Sequence, residues 1–148
     1  MAHIHRILCA SDFSKASGPA FATAVTMAKS NRATLTILHV FVPAAPLFPD
    51  GFVASATWEE LDAQVRRWDQ KQLATLMKKA KKSGVRATTL LMEGDPARQI
   101  VRAARSKRAD LLVVGTHGSR GFSRLSVGSV AGRVVASAPC AVLTVPGK

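Results

Sequence analysis

The sequence predicts an α/β protein: a five-stranded parallel sheet with helices on both faces. Three observations carry that prediction. Short apolar runs alternate strictly with longer stretches of helical periodicity, in the order β-α-β-α-β-α-β-α-β. The central runs are apolar throughout, as strands covered on both faces require. The chain has 148 residues, 47% hydrophobic and 20% charged, which suits one domain with a proper core and excludes disorder.

Each element has its own warrant. Ile4 to Ala10 is a strand, and the Ser11-Asp12-Phe13-Ser14 that follows is a helix-start signal. Ser17 to Ser30 reads as helix, with Ala20, Ala24, Met27 and Ala28 at helical spacing and Pro19 in the first turn. Thr34 to Val42 is β-branched and apolar, a strand. Phe41 to Trp58 holds Pro43, Pro46, Pro49 and Gly51 and reads as a long loop of the kind that forms lids. Thr57 to Lys82 is the longest helix, with Leu61, Val65, Trp68, Leu73, Leu76 and Met77 as its apolar contacts and Gly84 at its end. Val85 to Met92 is a strand. In Gly94-Asp95-Pro96, Asp95 is the N-cap and Pro96 the first residue of a helix. Ala97, Ile100, Val101 and Ala104 face inward there, while Arg98, Arg102 and Arg105 share another face at i, i+4 and i+7. Asp110 to Val114 is a strand stopped by Gly115. A helix from about Ser129 to Ser137 ends before Pro139, and Ala141 to Val145 is the last strand. Right-handed crossovers leave few topologies, and the predicted order is 3-2-1-4-5, flavodoxin-like or nucleotide-binding. Ligands of such sheets bind beyond the carboxyl ends of the strands, which singles out Ser11-Asp12 and the segment from Gly115 onward.

Lys and Arg number 21 against 9 Asp and Glu, a net charge of +12 that favours polyanionic partners: nucleotides, nucleic acid or acidic membranes. Aromatic residues make up 5% with no Tyr, which argues against base stacking and against nucleic acid as a partner. Cys9 and Cys140 lie far apart in apolar runs and read as buried reduced thiols; with His3, His5, His39 and His117 they make no zinc spacing. No run approaches the ~20 apolar residues that span a bilayer, so a cytoplasmic protein without membrane attachment is expected.

Between the fourth strand and the last helix the chain reads Gly115-Thr116-His117-Gly118-Ser119-Arg120-Gly121-Phe122-Ser123-Arg124-Leu125-Ser126-Val127-Gly128-Ser129. Glycines let main chain approach a ligand, and free N–H groups at the next helix N-terminus suit an anion; an ordinary connection with flexible punctuation is the alternative. Neither a P-loop nor a dinucleotide-binding G-x-G-x-x-G is present.

Gly115-x2-Gly118-x9-Gly128-Ser129 resembles the ATP-binding signature of the universal stress protein family. The likeness covers nearly the whole chain: Ile7 to Ser14 is similar to the family's first strand and its Asp-containing turn, Glu93 to Ala97 to the turn before the third helix, and Ala138-Pro139-Cys140 with the closing strand to the family's end. The resemblance implies ATP with Mg²⁺ carried by the phosphates. It would place Asp12 near adenine and ribose, Val40 against the adenine through its backbone, and Val114 beside the base or ribose. Gly115 and Gly118 would admit ribose and phosphates; Gly128, Ser129 and Val130 would hold the phosphates. It also implies a homodimer that pairs the Ala141 to Val145 strands antiparallel, and a stress-response regulator that ATP switches. The chain departs from the family pattern at Val114, where a methionine is common, at Gly132, and in the basic Arg105-Ser106-Lys107-Arg108.

From the residues alone, Asp12 is a ligand carboxylate or a helix N-cap. His117 lacks a visible carboxylate partner, and Ser119, Ser123 and Ser126 are phosphate donors or plain turn formers. Arg120 or Arg124 would steady a γ-phosphate or face solvent. No base and Lys pair is evident, so no efficient enzyme is indicated; slow ATP hydrolysis or autophosphorylation is the most the resemblance allows. The alternative is an interaction protein acting through its basic surface, toward nucleic acid or protein, with an unused pocket.

Overall fold

The computed structural model describes residues 3–43, 55–117 and 127–147. Five strands, β1 (Arg6–Ala10), β2 (Thr34–Phe41), β3 (Arg86–Glu93), β4 (Leu111–Gly115) and β5 (Ala141–Val145), form one sheet in the order β3-β2-β1-β4-β5. Every pairing is parallel, as the predicted order requires. The helices are α1 (Gly18–Asn31), α2 (Ser55–Lys82), α3 (Pro96–Ser106) and α4 (Ser129–Ser137).

Alternation along the strands builds two cores. Ile7 and Cys9 of β1, Leu35 and Ile37 of β2, and Leu111 and Val113 of β4 pack under Phe21 and Ala24 of α1 and Leu73 and Ala80 of α2. Leu8, Leu38, Leu112 and Val114 point the other way, under Ala97, Ile100 and Ala104 of α3 and Ala131 and Val134 of α4. Leu112 is 0% exposed on an interior strand of the sheet. Leu112→Ala is expected to cost about 2–5 kcal/mol in urea unfolding, since close-packed neighbours on both sides leave little room for collapse. A loss below about 1 kcal/mol would mean that the second core is soft.

Local chemistry explains most boundaries. Asp95 caps α3 by accepting from the Arg98 N–H at 3.0 Å, and Pro96 follows at the first helical position. Gly84, at φ +88°, lets the chain leave α2 for β3 in the left-handed region. A short 3-10 turn, Lys15–Ser17, precedes α1, and Ser14, the last residue of the helix-start signal, caps it by accepting from the Ser17 N–H. α2 starts at Ser55, so the last residues of the predicted Phe41 to Trp58 loop are helical; 44–54 lie outside the described residues.

Of the expected apolar contacts of α2, those in its C-terminal half are in the core and the others stand largely exposed. Leu73 is buried and Leu76 and Met77 are packed against the core, but Leu61, Val65 and Trp68 are exposed, Trp68 by 53%. Length is the reason for Leu61 and Val65, since the 28 residues of α2 extend about 42 Å and the eight-residue β2 and β3 about 26 Å, whereas Trp68 stands about 100° around the helix from its buried neighbour Asp69. The helix outruns the strands it covers. Both cysteines are free thiols, Cys9 buried and Cys140 half-buried, and burial pushes the Cys9 thiol up to about 12. Among the described residues no helix is long and apolar enough to cross a membrane.

Candidate functional site

The topological switch point lies at β1, whose neighbours β2 and β4 lead to opposite halves of the sheet. Leu38 C=O accepts from the Ser11 N–H at 2.9 Å, so Val40, two residues on, presents its main chain to the same side, past the end of β1. On β4, Thr116 N–H donates to Val145 C=O at 3.0 Å, so Gly115, one residue earlier, turns its main chain toward β1. Val40 and Gly115 therefore flank the chain where it leaves β1. Val114 is 4% exposed and belongs to the second core, so what it offers a ligand is main chain.

The turn after β1 is a serine network. Asp12 Oδ1 accepts from the Ser14 N–H at 3.0 Å and from the Ser14 hydroxyl at 2.5 Å, which makes it the acceptor of an Asx turn rather than the cap of α1. Its side chain is exposed at the carboxyl edge of the sheet. Ser11 Oγ accepts from the Phe13 N–H at 3.1 Å and lies 3.2 Å from Ser17 Oγ, which donates to Ser14 C=O at 2.8 Å. Phe13 sits at φ +62°, a left-handed conformation that is strained for a bulky side chain.

At the far side of the cleft, Gly128 N–H donates to Thr116 C=O at 2.5 Å and begins α4. Its φ of −59° suits any residue, so the need for glycine is spatial: a Cβ there would stand 2.7 Å from the Thr116 carbonyl oxygen. The first N–H groups of α4, at Ser129, Val130 and Ala131, have no intrahelical acceptor, the N-cap Gly128 has no side chain to cap them, and Ser129 and Val130 are exposed. Those donors and the helix dipole favour an anion. Thr116 Oγ1 lies 3.0 Å from His117 Nδ1. Gly118, Ser119, Arg120, Ser123, Arg124 and Ser126 lie outside the described residues.

Sequence reasoning missed the residues behind the turn. His39 Nδ1 lies 2.7 Å from Ser11 C=O, and its Nε2 lies 3.5 Å from Asp69 Oδ2 of α2. Asp69 is 2% exposed. Burial pushes its carboxyl above the usual range, with the His39 charge pulling the other way. Phe13 stacks on His39 at 4.3 Å between ring centroids and meets Trp68 edge-on at 5.7 Å. An Asp on a largely polar stretch of α2 carries no local signal; only the packing of α2 on β2 gives it meaning.

A groove of about 580 Å³ between α1 and α2 touches this site through Ser11, Phe13, Ser14 and Ser17 and includes none of the glycine segment. A second, of about 340 Å³, runs between α3 and α4 and is lined by Arg98, Arg102, Arg105 and Arg133 over Ala97 and Val101. Arg133 is engaged by Asp95 at 2.8 and 3.0 Å, and that contact, with the Arg98 N–H, holds the Asp95 carboxyl below its ordinary range.

The sequence profile of the universal stress protein family matches residues 3–146. The chain belongs to that family. It is 36% identical over 140 residues to universal stress protein MJ0531 of Methanocaldococcus jannaschii, covering 95% of this chain and 81% of that one. Universal stress protein UspA from Lactobacillus plantarum superposes with a TM-score of 0.83 at 27% identity, over 98% of this chain and 99% of that one. Two relatives crystallised with nucleotides share the fold. One, in complex with cAMP, has a TM-score of 0.71 at 24% identity over 99% of this chain and 100% of that one. The other, from Archaeoglobus fulgidus in complex with dAMP, has a TM-score of 0.66 at 20% identity over 97% and 98%. Of the signature residues, Gly115 lies where β4 ends and Gly128-Ser129 where α4 begins, and Gly118 lies outside the described residues.

Proposed function

We propose that this universal stress protein binds ATP at the carboxyl ends of β1 and β4 and works as a homodimeric, nucleotide-dependent regulator of the stress response. The observation that carries the reading is the contact of Gly128 with Thr116, which seats the N-terminus of α4, begun by a glycine with no side chain to cap it, beside the end of β4. Phosphates would take the free N–H groups of Ser129, Val130 and Ala131 with the Ser129 hydroxyl, and Gly118 would let the loop close on them. Adenine and ribose would lie toward the main chain of Val40 and Gly115, with Asp12 as the ribose carboxylate and Val114 behind. Mg²⁺ would travel on the phosphates, a role that needs no protein cage. The donor set fits an anion, and the cAMP and dAMP bound by relatives support an adenine nucleotide. ATP would order the Gly115 to Ser129 segment, and the surface so formed would be what a partner reads.

The test is mass spectrometry of small molecules released on denaturing the freshly purified protein, followed by calorimetric titration with ATP and Mg²⁺. Near-stoichiometric ATP or ADP, or clear binding on titration, supports the reading. A protein that is empty and ignores ATP, AMP and cyclic nucleotides overturns it.

The α3–α4 groove favours a second reading, in which a basic surface engages a polyanion. The guanidinium groups of Arg98, Arg102 and Arg105 pair with no carboxylate among the described residues, and the three span about 10 Å of helix. If they contact three phosphates, replacing all three by alanine makes the slope of log affinity against log salt shallower by about 2–3 for an oligonucleotide. An unchanged slope removes this groove from consideration.

A further inference from the structure

Behind the Asp12 turn lies a buried pair that nucleotide binding does not itself use. The Ser11 carbonyl can only accept, and it is 2.7 Å from His39 Nδ1, so Nδ1 carries the hydrogen of the neutral ring. Nε2 is then left facing Asp69 Oδ2 at 3.5 Å, and that oxygen is buried with no hydrogen-bond partner. With no further proton, a ring lone pair would face a carboxylate oxygen inside the protein, an arrangement with nothing to hold it. One proton, on Nε2 or on Oδ2, turns it into an imidazolium–carboxylate or an acid–imidazole contact.

The other charged groups at this end of the face leave that proton in place. Arg66 of α2 and Glu93 of β3 pair with each other, and Arg66 lies over the Phe41 ring at 5.0 Å. Asp62 of α2 has its own partner, and Asp12 is exposed in its turn. α1 has a single charged residue, Lys29, in its last turn at the opposite end. The pair bears directly on the site. His39 holds the Ser11 carbonyl, and its ring lies against Phe13, whose left-handed backbone turns the chain directly after Asp12.

We propose that His39 and Asp69 share one proton and thereby position the Ser11 to Phe13 turn, so that adenine-nucleotide affinity falls when the pair loses that proton. Burial raises the Asp69 carboxyl, so the folded chain holds the proton more tightly than the unfolded one. The contact is therefore present at lower pH and lost as pH rises. His39 and Asp69 are positioning residues. The proposal rests on the nucleotide reading for its ligand and on geometry for the pair.

The experiment compares wild type, Asp69→Asn and Asp69→Leu by calorimetric titration with ATP and Mg²⁺ from about pH 6 to about pH 9. Titration of the ATP phosphates is common to all three. The Asn amide donates to Nε2 without a shared proton, so Asp69→Asn is expected to bind well with a flatter profile, and wild type to lose at least about threefold more affinity across the range. Asp69→Leu is expected to bind at least about tenfold more weakly at neutral pH, with its circular dichroism unchanged. Parallel profiles for wild type and Asp69→Asn overturn the proposal. Nitrogen-15 spectra of His39 and carbon-13 spectra of the Asp69 carboxyl, taken on nucleotide-free wild type, decide the pair separately. A proton on either group at neutral pH that leaves toward alkaline pH supports it, and both groups bare throughout overturn it. If wild type binds no nucleotide at any pH, the nucleotide reading falls alone and the spectra still judge the pair.

Discussion

Gly128→Val is expected to weaken ATP binding by at least about 100-fold, about 2.7 kcal/mol, while the sheet stays folded. The added Cβ would stand 2.7 Å from the Thr116 carbonyl oxygen, and that carbonyl cannot retreat easily because the Thr116 N–H is bonded to Val145 of β5. α4 must move instead. Its start swings away from the end of β4, the Gly128 N–H loses its acceptor, and the donors of Ser129, Val130 and Ala131 no longer face the cleft. Such displacement costs about 1–3 kcal/mol of stability, which thermal melting should register as a modest fall. Gly132 provides the control: a Cβ there meets nothing within 4 Å, so Gly132→Ala should leave affinity unchanged and stabilise α4 by about 0.5–1 kcal/mol. Calorimetry that finds full ATP affinity in Gly128→Val would remove the phosphates from this end of the cleft.

The legible parts of the molecule are those in which a short stretch carries its own signal. Alternating apolar runs and helical stretches announced the parallel sheet, and Asp95-Pro96 announced the start of α3, because caps and periodicity act over a few residues. The two ends of the site were readable for a similar reason. Asp12 follows β1 directly, and the spacing of Gly115 and Gly128 fits the family signature. What stayed hidden depends on contacts between distant segments. Asp69 and His39 are thirty residues apart in sequence, and nothing near either one says that the other will face it; the contact exists because α2 lies along β2. The exposed half of α2 misled for the opposite reason. Leu61, Val65 and Trp68 have the spacing of buried residues, yet the helix outruns the strands at the first two and turns Trp68 aside from the face that buries Asp69. Arg98, Arg102 and Arg105 were visible as a stripe, but their groove appears only when α4 brings Arg133 alongside.

Thr144→Pro is expected to raise the dimer dissociation constant by at least about tenfold, if homodimers form by antiparallel pairing of β5. The Thr116–Val145 hydrogen bond fixes the direction of each residue in this strand: Ala141, Leu143 and Val145 turn their main-chain groups to β4, whereas Val142 and Thr144 turn theirs to the free edge. Proline at 144 therefore removes an edge N–H and leaves the bonds within the sheet intact, a strand setting in which proline is tolerated. Two-fold symmetry removes the same donor from each protomer, and two lost bonds at about 1 kcal/mol each come to about thirtyfold, within the expected tenfold or more. Val142 is the poorer choice for the test, because its side chain packs with Ala131 and Val134 of α4 and a change there would weaken the monomer too. Sedimentation equilibrium on wild type and Thr144→Pro at matched concentrations reads the difference. A dimer indifferent to the proline would move the interface elsewhere, and the exposed Leu61, Val65 and Trp68 of α2 form the next apolar surface to substitute.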